Sequence, residues 1–289
     1  MYEYNKSIKS DVSDEFINTY LLRPVASGIV RLLYRTKVTP NQVTIASTIA
    51  GLAGALVYLR GDPAAVACAG LFVTAKDVLD SADGQLARSK QQYSRSGRFL
   101  DSIGDFIVSL AVFTAMGWML SSRHADVGYG ILALTGLAGL TFRVSYHVFY
   151  QTSFLHLNQQ YQTNRVTEEL REEDKGSDRL TLCLQIIFQG IYGWQDRMVL
   201  QIDQWCRGGK QTDISREKWF SDITGLRLAG LIGMGTELFL MTVCSLFDRL
   251  ELYLYLNAVL MNALLLANIL YRRTSLRQRI ESLPELDSH

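Results

Sequence analysis

The sequence has few charged residues for its length and no closely spaced cysteines. Only 20% of its 289 residues are charged, whereas 48% are hydrophobic. The four cysteines, Cys68, Cys183, Cys206 and Cys244, have no CxxC-like spacing, so they are interpreted as packing residues rather than as zinc ligands or disulfide partners. Residues 1–14 are polar and acidic and lack the apolar core of a cleavable signal peptide, so none is expected there.

The hydrophobic residues are gathered into long runs instead of being spread along the chain. Six runs are close to the length of about 20 residues that a helix needs to cross a bilayer core. They lie at residues 43–60, 63–79, 99–120, 128–152, 223–246 and 251–271. These runs predict an all-α fold, a polytopic membrane helical bundle with about six transmembrane helices.

The remaining segments predict the orientation of the bundle. Residues 16–34 mix apolar residues with Arg23 and Arg31 and are predicted to form an interfacial amphipathic helix, broken or restarted at Pro24. Lys and Arg are concentrated before the first run, between the second and third, and after the last, so the active site, both termini and the long loop are predicted to be cytoplasmic. The expected organisation is an N-terminal segment, four membrane helices, a cytoplasmic loop, two membrane helices and a tail, at residues 1–42, 43–154, 155–222, 223–271 and 272–289.

The long loop at residues 155–222 opens with a charge-dense run and becomes apolar at residues 180–191. The apolar part predicts an interfacial or re-entrant helix, followed by an amphipathic helix that includes Val199 and Trp205. A seventh membrane span is the alternative interpretation. It is disfavoured because the apolar run is only about 12 residues long between charges, and because the next segment would change sides against the distribution of positive charge.

A group of acidic and small residues lies at the ends of the second and third runs, with the spacing D-x2-D-G-x2-A-R-x8-G-x3-D-x3-D. Its members are, in order, Asp80, Asp83, Gly84, Ala87, Arg88, Gly97, Asp101 and Asp105. An ionised side chain in an apolar segment is costly unless it is paired, bound to a metal or facing a water-filled cavity. The four carboxylates are therefore expected to converge on positive charge.

Helical spacing predicts how the carboxylates converge. Asp80 and Asp83 are three residues apart, and the last three motif positions repeat every four residues, so each set lines one face of its helix. Four carboxylates on two facing helices make an all-oxygen site that suits hard cations such as Mg2+ or Mn2+, with enough charge for two of them. Arg88 adds a positive fork suited to phosphate. Metals and arginine together indicate a polyphosphate substrate.

The motif resembles, residue for residue, the signature of the CDP-alcohol phosphotransferase family. Residues 35–44, which include Pro40, Asn41 and Thr44, are similar to the family's entry into its first membrane helix. The resemblance extends over the membrane part of the chain and is not recognisable at residues 155–222. The activity of this family is therefore expected of the motif residues and of the helices that carry them.

The resemblance implies a role for each residue of the motif. Asp80, Asp83 and Asp101 would be the principal ligands of two divalent cations, Mg2+ or Mn2+. Asp105 would be the general base that takes the proton of the acceptor hydroxyl, and would also contact a metal. Arg88 would hold the diphosphate. The residues expected around the CDP moiety are Gly84, Ala87, Arg88, Gly97, Asn41 and Thr44.

The implied reaction is metal-dependent transfer of a substituted phosphate group from a CDP-alcohol to an acceptor hydroxyl, with release of CMP, in phospholipid biosynthesis. The donor would be CDP-diacylglycerol or a CDP-linked polar alcohol, and at least one substrate would be a lipid. A homodimer in the lipid bilayer is expected, and nucleic acid is not expected as a partner. Residues 22–44 are more similar to the bacterial and archaeal inositol-phosphate and phosphatidyl-transferring branches than to the eukaryotic choline and ethanolamine branch.

Two other classes of protein remain as alternatives. A transporter or cation-binding membrane protein would also line a cavity with carboxylates, but such folds often consist of repeated halves, whereas this sequence has one asymmetric acidic cluster and no internal repeat. A catalytically inactive lipid-binding scaffold of the same fold would have no physical need to keep four acids and the arginine together. Release of CMP from CDP-alcohols would distinguish these alternatives from the enzyme.

Charged residues elsewhere in the apolar runs give weaker indications. Arg143 and Arg227 lie near the predicted cytoplasmic ends of their runs and could bind an anionic acceptor; the alternative is that each reaches lipid phosphate or pairs with a buried acid. Glu237 is expected to make a helix–helix contact, and His147 to be a hydrogen-bonded core residue. Asp77 is either an outer partner of the metal site or a residue at its wet rim.

Overall fold

The structure, a computed structural model, describes residues 15–157, 178–208 and 215–282. Every regular element in these ranges is helical, which confirms the predicted all-α fold. A π-helical turn at Asn18–Leu22 precedes the first α-helix. The helices of the first half of the chain are α1 (Arg23–Leu33), α2 (Pro40–Tyr58), α3 (Pro63–Lys90), α4 (Arg95–His124) and α5 (Gly128–Leu157).

The second half contains one long helix and several shorter ones. Its helices are α6 (Arg179–Cys206), α7 (Arg216–Phe220), α8 (Ile223–Gly230), α9 (Met234–Leu246), α10 (Leu250–Tyr255), α11 (Asn262–Tyr271) and α12 (Arg277–Glu281). π-Helical turns at Leu256–Met261 and Arg272–Leu276 join the last three. With these turns, the chain is helical without a break from Leu250 to Glu281, so the last predicted span lies within one continuous helical segment.

Four helical segments are long and apolar enough to cross a membrane, by length and composition. They are Arg95–His124, Gly128–Leu157, Arg216–Leu246 and Leu250–Glu281, and each contains one of the last four predicted spans. The first two predicted spans correspond to α2 and α3, which have 19 and 28 residues. Helix α3 carries Lys76 and Asp77 within its apolar run and Asp80 directly after it. Neither α2 nor α3 is among the four candidates, so the total of six spans stays a prediction.

Two predicted spans differ in extent from the helices that contain them. Helix α3 continues past the second predicted span without a break to Lys90, and the first half of the motif is part of it. The predicted span at residues 223–246 is two helices, which separate between Gly230 and Met234. At this break the Glu15 carboxylate accepts a hydrogen bond of 3.2 Å from the Thr236 backbone N–H, in the first turn of α9.

The loop segment also differs from the prediction. The described part between residues 178 and 208 forms a single helix, α6, of 28 residues, where two successive helices were expected. Asp178 begins it by accepting a hydrogen bond from the Thr181 backbone N–H at 3.2 Å. Helix α6 is not among the four segments that are long and apolar enough to cross a membrane, and its interfacial position stays a prediction.

The N-terminal helix has the amphipathic character that was predicted. Ala26 and Val30 are fully buried, and they pack with Val43, Ala82 and Leu86 of α2 and α3. Other apolar residues of the same helix are exposed, among them Leu32 at 77%. Pro24 lies in the first turn of α1, but Leu22 and Arg23 both have right-handed helical dihedrals, so the π-helical turn continues into α1 without the predicted break.

Helices α2, α3 and α4 pack closely and form the part of the core that holds the motif. Gly51 of α2 makes this approach possible, because a Cβ atom there would meet the side chains of Val108 of α4 and Lys76 of α3. The large apolar cluster continues from these helices to α5, α9 and α10 and includes the fully buried Phe113, Met116 and Tyr253. The acidic residues of α3 and α4 therefore lie on a tightly packed scaffold.

Candidate active site

The motif occupies the last part of α3 and the first part of α4, and both ends of the connection between them are fixed. Gln91 ends α3 in the left-handed conformation with φ 54°, and the Ser94 hydroxyl caps α4 by accepting from the Gly97 N–H at 2.9 Å. The Lys90 ammonium donates to the carbonyl oxygens of Thr36 and Val38, at 2.9 and 2.7 Å. These contacts hold the motif helices against the start of α2.

Three of the four predicted carboxylates come together. One oxygen from each of Asp80, Asp101 and Asp105 lies within 4.8 Å of the other two, and all three residues are half-buried. Three carboxylate oxygens at this spacing on two facing helices are the donor type that hard divalent cations prefer. The residues therefore fit a metal ion of the kind that the sequence predicts, and they leave one side accessible to a ligand.

Asp83 lies outside this group of three. Its carboxylate Oδ2 accepts a hydrogen bond of 2.5 Å from the hydroxyl of Thr44, and both residues are buried, at 7% and 5% exposure. The same hydroxyl is 3.2 Å from the Pro40 carbonyl oxygen, one turn earlier in α2. The structure thus connects two predicted site residues directly, one from α2 and one from α3, and places Asp83 at the side of the cluster that faces α2.

Lys76 is a member of this site that the sequence argument did not single out. Its ammonium forms an ion pair with Asp105 Oδ1 and lies 3.5 Å from Asp80 Oδ1, while the lysine side chain is only 2% exposed. The sequence does contain a signal, since Lys76 precedes Asp80 by four residues and lies in an apolar run, where a charge indicates function by default. The neighbouring Asp77 is also buried, at 6% exposure.

The small residues of the motif lie where side chains of the site need space. A Cβ atom on Gly84 would be 3.4 Å from Nη1 of Arg88, so the guanidinium lies over this glycine. A Cβ atom on Gly97 would be 2.7 Å from the Asn41 side-chain oxygen, which brings together two further residues that the motif and the α2 entry predict. Ala87 is half-buried on α3, one turn after Asp83.

Helix α6 covers α4 beside the acidic cluster, a contact that no pattern in the sequence predicts. The Tyr192 hydroxyl donates to the Ser102 carbonyl oxygen at 3.0 Å, and its ring meets Phe106 edge-on with centroids 6.2 Å apart. One turn earlier, Phe188 packs on Phe99 at 5.3 Å. Because Ser102 follows Asp101 directly, α6 forms a wall of the site.

Arg143 has partners in the last helices of the chain. It is fully buried and forms an ion pair with Glu237, and it donates to Asn262 Oδ1 at 2.6 Å and to the Asn257 carbonyl oxygen at 3.3 Å. The predicted helix–helix contact of Glu237 is thus present. The ion pair favours the alternative in which Arg143 pairs with a buried acid, and its role as an acceptor ligand stays a prediction. Arg227 is exposed on α8.

The remaining residues behave as the sequence suggested or nearly so. His147 is buried in the core of α5, with Nδ1 3.7 Å from a Glu15 carboxylate oxygen. All four cysteines are free thiols. Cys206 and Cys244 are buried and Cys68 and Cys183 are exposed, so the interpretation of the cysteines as packing residues holds for the buried pair.

The fold and the site together define a helical membrane protein with a carboxylate cluster that could hold a metal ion. The chain belongs to the CDP-alcohol phosphatidyltransferase family, whose profile matches residues 37–195, more than half of its length. The family inferred from the motif is therefore confirmed. Its extent differs from the expectation, because the match includes part of the 155–222 segment and stops before the last two predicted spans.

Several curated proteins are similar to part of the chain. It is 34% identical over 123 residues to the bifunctional IPC transferase and DIPP synthase of Thermococcus kodakarensis, covering 43% of this chain and 27% of that protein. It is 34% identical over 112 residues to the phosphatidylinositol phosphate synthase of Mycobacterium tuberculosis, covering 38% of this chain and 50% of that protein. The inner membrane protein YnbA of Escherichia coli is 29% identical over 99 residues. The aligned region thus spans between a quarter and a half of these relatives.

Proposed function

We propose that the protein transfers a substituted phosphate group from a CDP-alcohol to the hydroxyl of an acceptor alcohol and releases CMP. The observation that carries this proposal is the convergence of Asp80, Asp101 and Asp105 between two facing helices in a chain of this family. The mycobacterial relative is a phosphatidylinositol phosphate synthase, which supports a donor that carries a diacylglycerol group and a polar acceptor. The protein would act at the cytoplasmic face of the membrane, as a homodimer.

The carboxylates would hold the metal ions. Asp80 and Asp101 face one another across the two helices, and Asp83, fixed by Thr44, would complete the ligand set at the α2 side. Two divalent cations, Mg2+ or Mn2+, would neutralise the diphosphate and the charge that develops on the leaving CMP. Arg88, which lies over Gly84, would hold a diphosphate oxygen by its guanidinium fork.

Asp105 is the residue assigned to proton transfer. Its Oδ1 is held by Lys76, so the other oxygen, Oδ2, would take the proton of the acceptor hydroxyl. The acceptor oxygen forms the new bond to the phosphorus of the transferred group, and the bond from that phosphorus to the CMP oxygen breaks. Because Gly84, Ala87 and Gly97 carry little or no side chain, the cytidine would fit beside this end of α3 and α4.

The experiment that tests this function is CMP release by the purified protein in detergent or vesicles. The protein is given CDP-diacylglycerol or CDP-linked polar alcohols, a panel of acceptors, and Mg2+ or Mn2+, and the lipid product is identified by mass spectrometry. EDTA should abolish the release of CMP, and Asp80→Asn, Asp83→Asn or Asp101→Asn should each remove nearly all of it, because a ligand is lost while the side-chain volume is kept.

Asp248→Asn is the matched control, since this aspartate pairs with Arg123 outside the site. Full activity in EDTA, or in two of the three site variants, would show that the metal-dependent mechanism is wrong. Binding of cations without any CMP release would instead support a cation-binding membrane protein or an inactive scaffold.

A further inference from the structure

The burial of Lys76 inside a carboxylate cluster requires an explanation beyond its contact with Asp105, the proposed general base. Lys76 is 1% exposed, and its ammonium contacts two of the three clustered carboxylates, those of Asp105 and Asp80. Its stem is enclosed by α2, where a Cβ atom on Gly51 would lie 3.2 Å from the lysine Cγ. The ammonium is therefore directed into the cluster by packing and is not a surface group that happens to reach it.

The charges around Lys76 explain why a lysine is buried at this position. Three carboxylate oxygens within 4.8 Å of one another repel strongly in a site of low dielectric constant. A buried ammonium beside them reduces this repulsion, and the carboxylates in turn compensate the cost of burying the lysine. A divalent cation bound by the same oxygens would stand close to the ammonium, and two positive charges at that separation repel one another.

We propose that Lys76 is a built-in counter-cation of the acidic cluster, which stabilises the site before metal binds and weakens the binding of divalent cations to it. The proposal rests on the metal site proposed above. In this role the lysine acts on the carboxylates that would hold the ions. Because it weakens cation binding, the fraction of sites that hold a cation depends on the cation concentration and on whether the substrate phosphates are bound.

The test is a titration of the metal-free protein with Mn2+, in which free Mn2+ is measured by electron paramagnetic resonance, together with thermal unfolding in EDTA and in saturating Mn2+. The variants are Lys76→Met and Lys76→Gln, which remove the charge, and Lys76→Arg, which keeps it. Asp101→Asn controls for binding at this site. No substrate and no turnover are needed, so the readout is independent of activity.

Removing the charge should raise the affinity for Mn2+ by about tenfold or more, because the repulsion acts at short range in a poorly screened site. The same two variants should unfold at a lower temperature than the wild type in EDTA and should gain more stability from Mn2+. Lys76→Arg should stay within about threefold of the wild-type affinity, since one positive charge is kept.

Three results would overturn the proposal. The first is wild-type Mn2+ affinity in both neutral variants, and the second is unchanged stability of both in EDTA. The third is a failure of both neutral variants to fold even when Mn2+ is present throughout purification, because a counter-cation role predicts rescue by the metal. If the wild type itself binds no Mn2+, the metal site of the proposed function fails, which is a different outcome from a failure at Lys76 alone.

Discussion

The buried ion pair between Arg143 and Glu237 allows a prediction about stability. Both side chains have 0% exposure, and the Glu237 carboxylate accepts further hydrogen bonds from Tyr253 at 3.1 Å and Asn257 at 3.0 Å. Glu237→Gln keeps the shape of the residue and removes its charge. The amide then presents an N–H group either to the arginine or to the tyrosine and asparagine donors.

The size of the expected stability loss follows from the single charge that stays buried in each variant. Breaking a buried ion pair by changing one partner costs about 3–5 kcal/mol, because the other charge stays buried without compensation. Glu237→Gln and Arg143→Met should therefore each lower the free energy of unfolding by about this amount. The double variant Arg143→Met/Glu237→Met leaves no buried charge, so it should be more stable than either single variant, as replacements of whole buried pairs by apolar residues often are.

The assay is thermal or denaturant unfolding of the purified protein in one detergent. Asp248→Asn is the control, because the Arg123–Asp248 ion pair, at 2.9 Å, is partly exposed. The Arg123 side chain is 26% exposed and the Asp248 side chain 30%. Pairs of that kind contribute about 0.2–1 kcal/mol. A Glu237→Gln variant no less stable than this control, or a double variant whose loss equals the sum of the single losses, would refute the reasoning.

Two further predictions concern the site itself. Asp105→Asn should keep its affinity for the CDP-alcohol, measured by equilibrium binding, while its transfer rate should fall by about 10²–10⁴-fold, the usual contribution of a general base. A loss of nucleotide affinity as severe as in Asp80→Asn would show that Asp105 is chiefly a metal ligand. Arg143→Lys and Arg227→Lys test whether these arginines bind the acceptor. If either guanidinium holds the acceptor, its variant should raise the acceptor KM and leave the donor KM nearly unchanged. Unchanged acceptor kinetics in both variants would show that the two arginines are structural.

The sequence predicted most of the site because its residues are close together in the chain and lie on helices. Spacings of three and four residues place the aspartates of α3 and of α4 on single helix faces, and the structure brings Asp80, Asp101 and Asp105 together. The contact between Thr44 and Asp83 spans 39 residues. The choice of Thr44 as a site residue came from the family resemblance, since no local spacing indicates which residue of α2 faces α3.

The departures from the sequence prediction arise where distant segments meet. The break between α8 and α9 lies in an apolar run that predicts one helix, yet Glu15 reaches the start of α9 from the other end of the chain. In the same way, Tyr192 and Phe188 attach α6 to α4, and these contacts depend on tertiary packing. Local hydrophobic periodicity contains no information about either contact, so the wall formed by α6 could not be predicted, whereas Gly230, Gly233 and Gly235 are a local signal of the break.

Two buried charge clusters of the bundle, one at Glu237 and one at Asp80, Asp101 and Asp105, differ in the balance between donors and acceptors. Glu237 faces one guanidinium, one hydroxyl and one amide, so protein groups satisfy both of its oxygens. At the acidic cluster, the Lys76 ammonium contacts two of the three carboxylates, those of Asp80 and Asp105. Three clustered carboxylates favour a proton or an added cation, whereas Arg143 and Glu237 compensate each other, so the acidic cluster and not the Arg143 network is expected to bind a ligand.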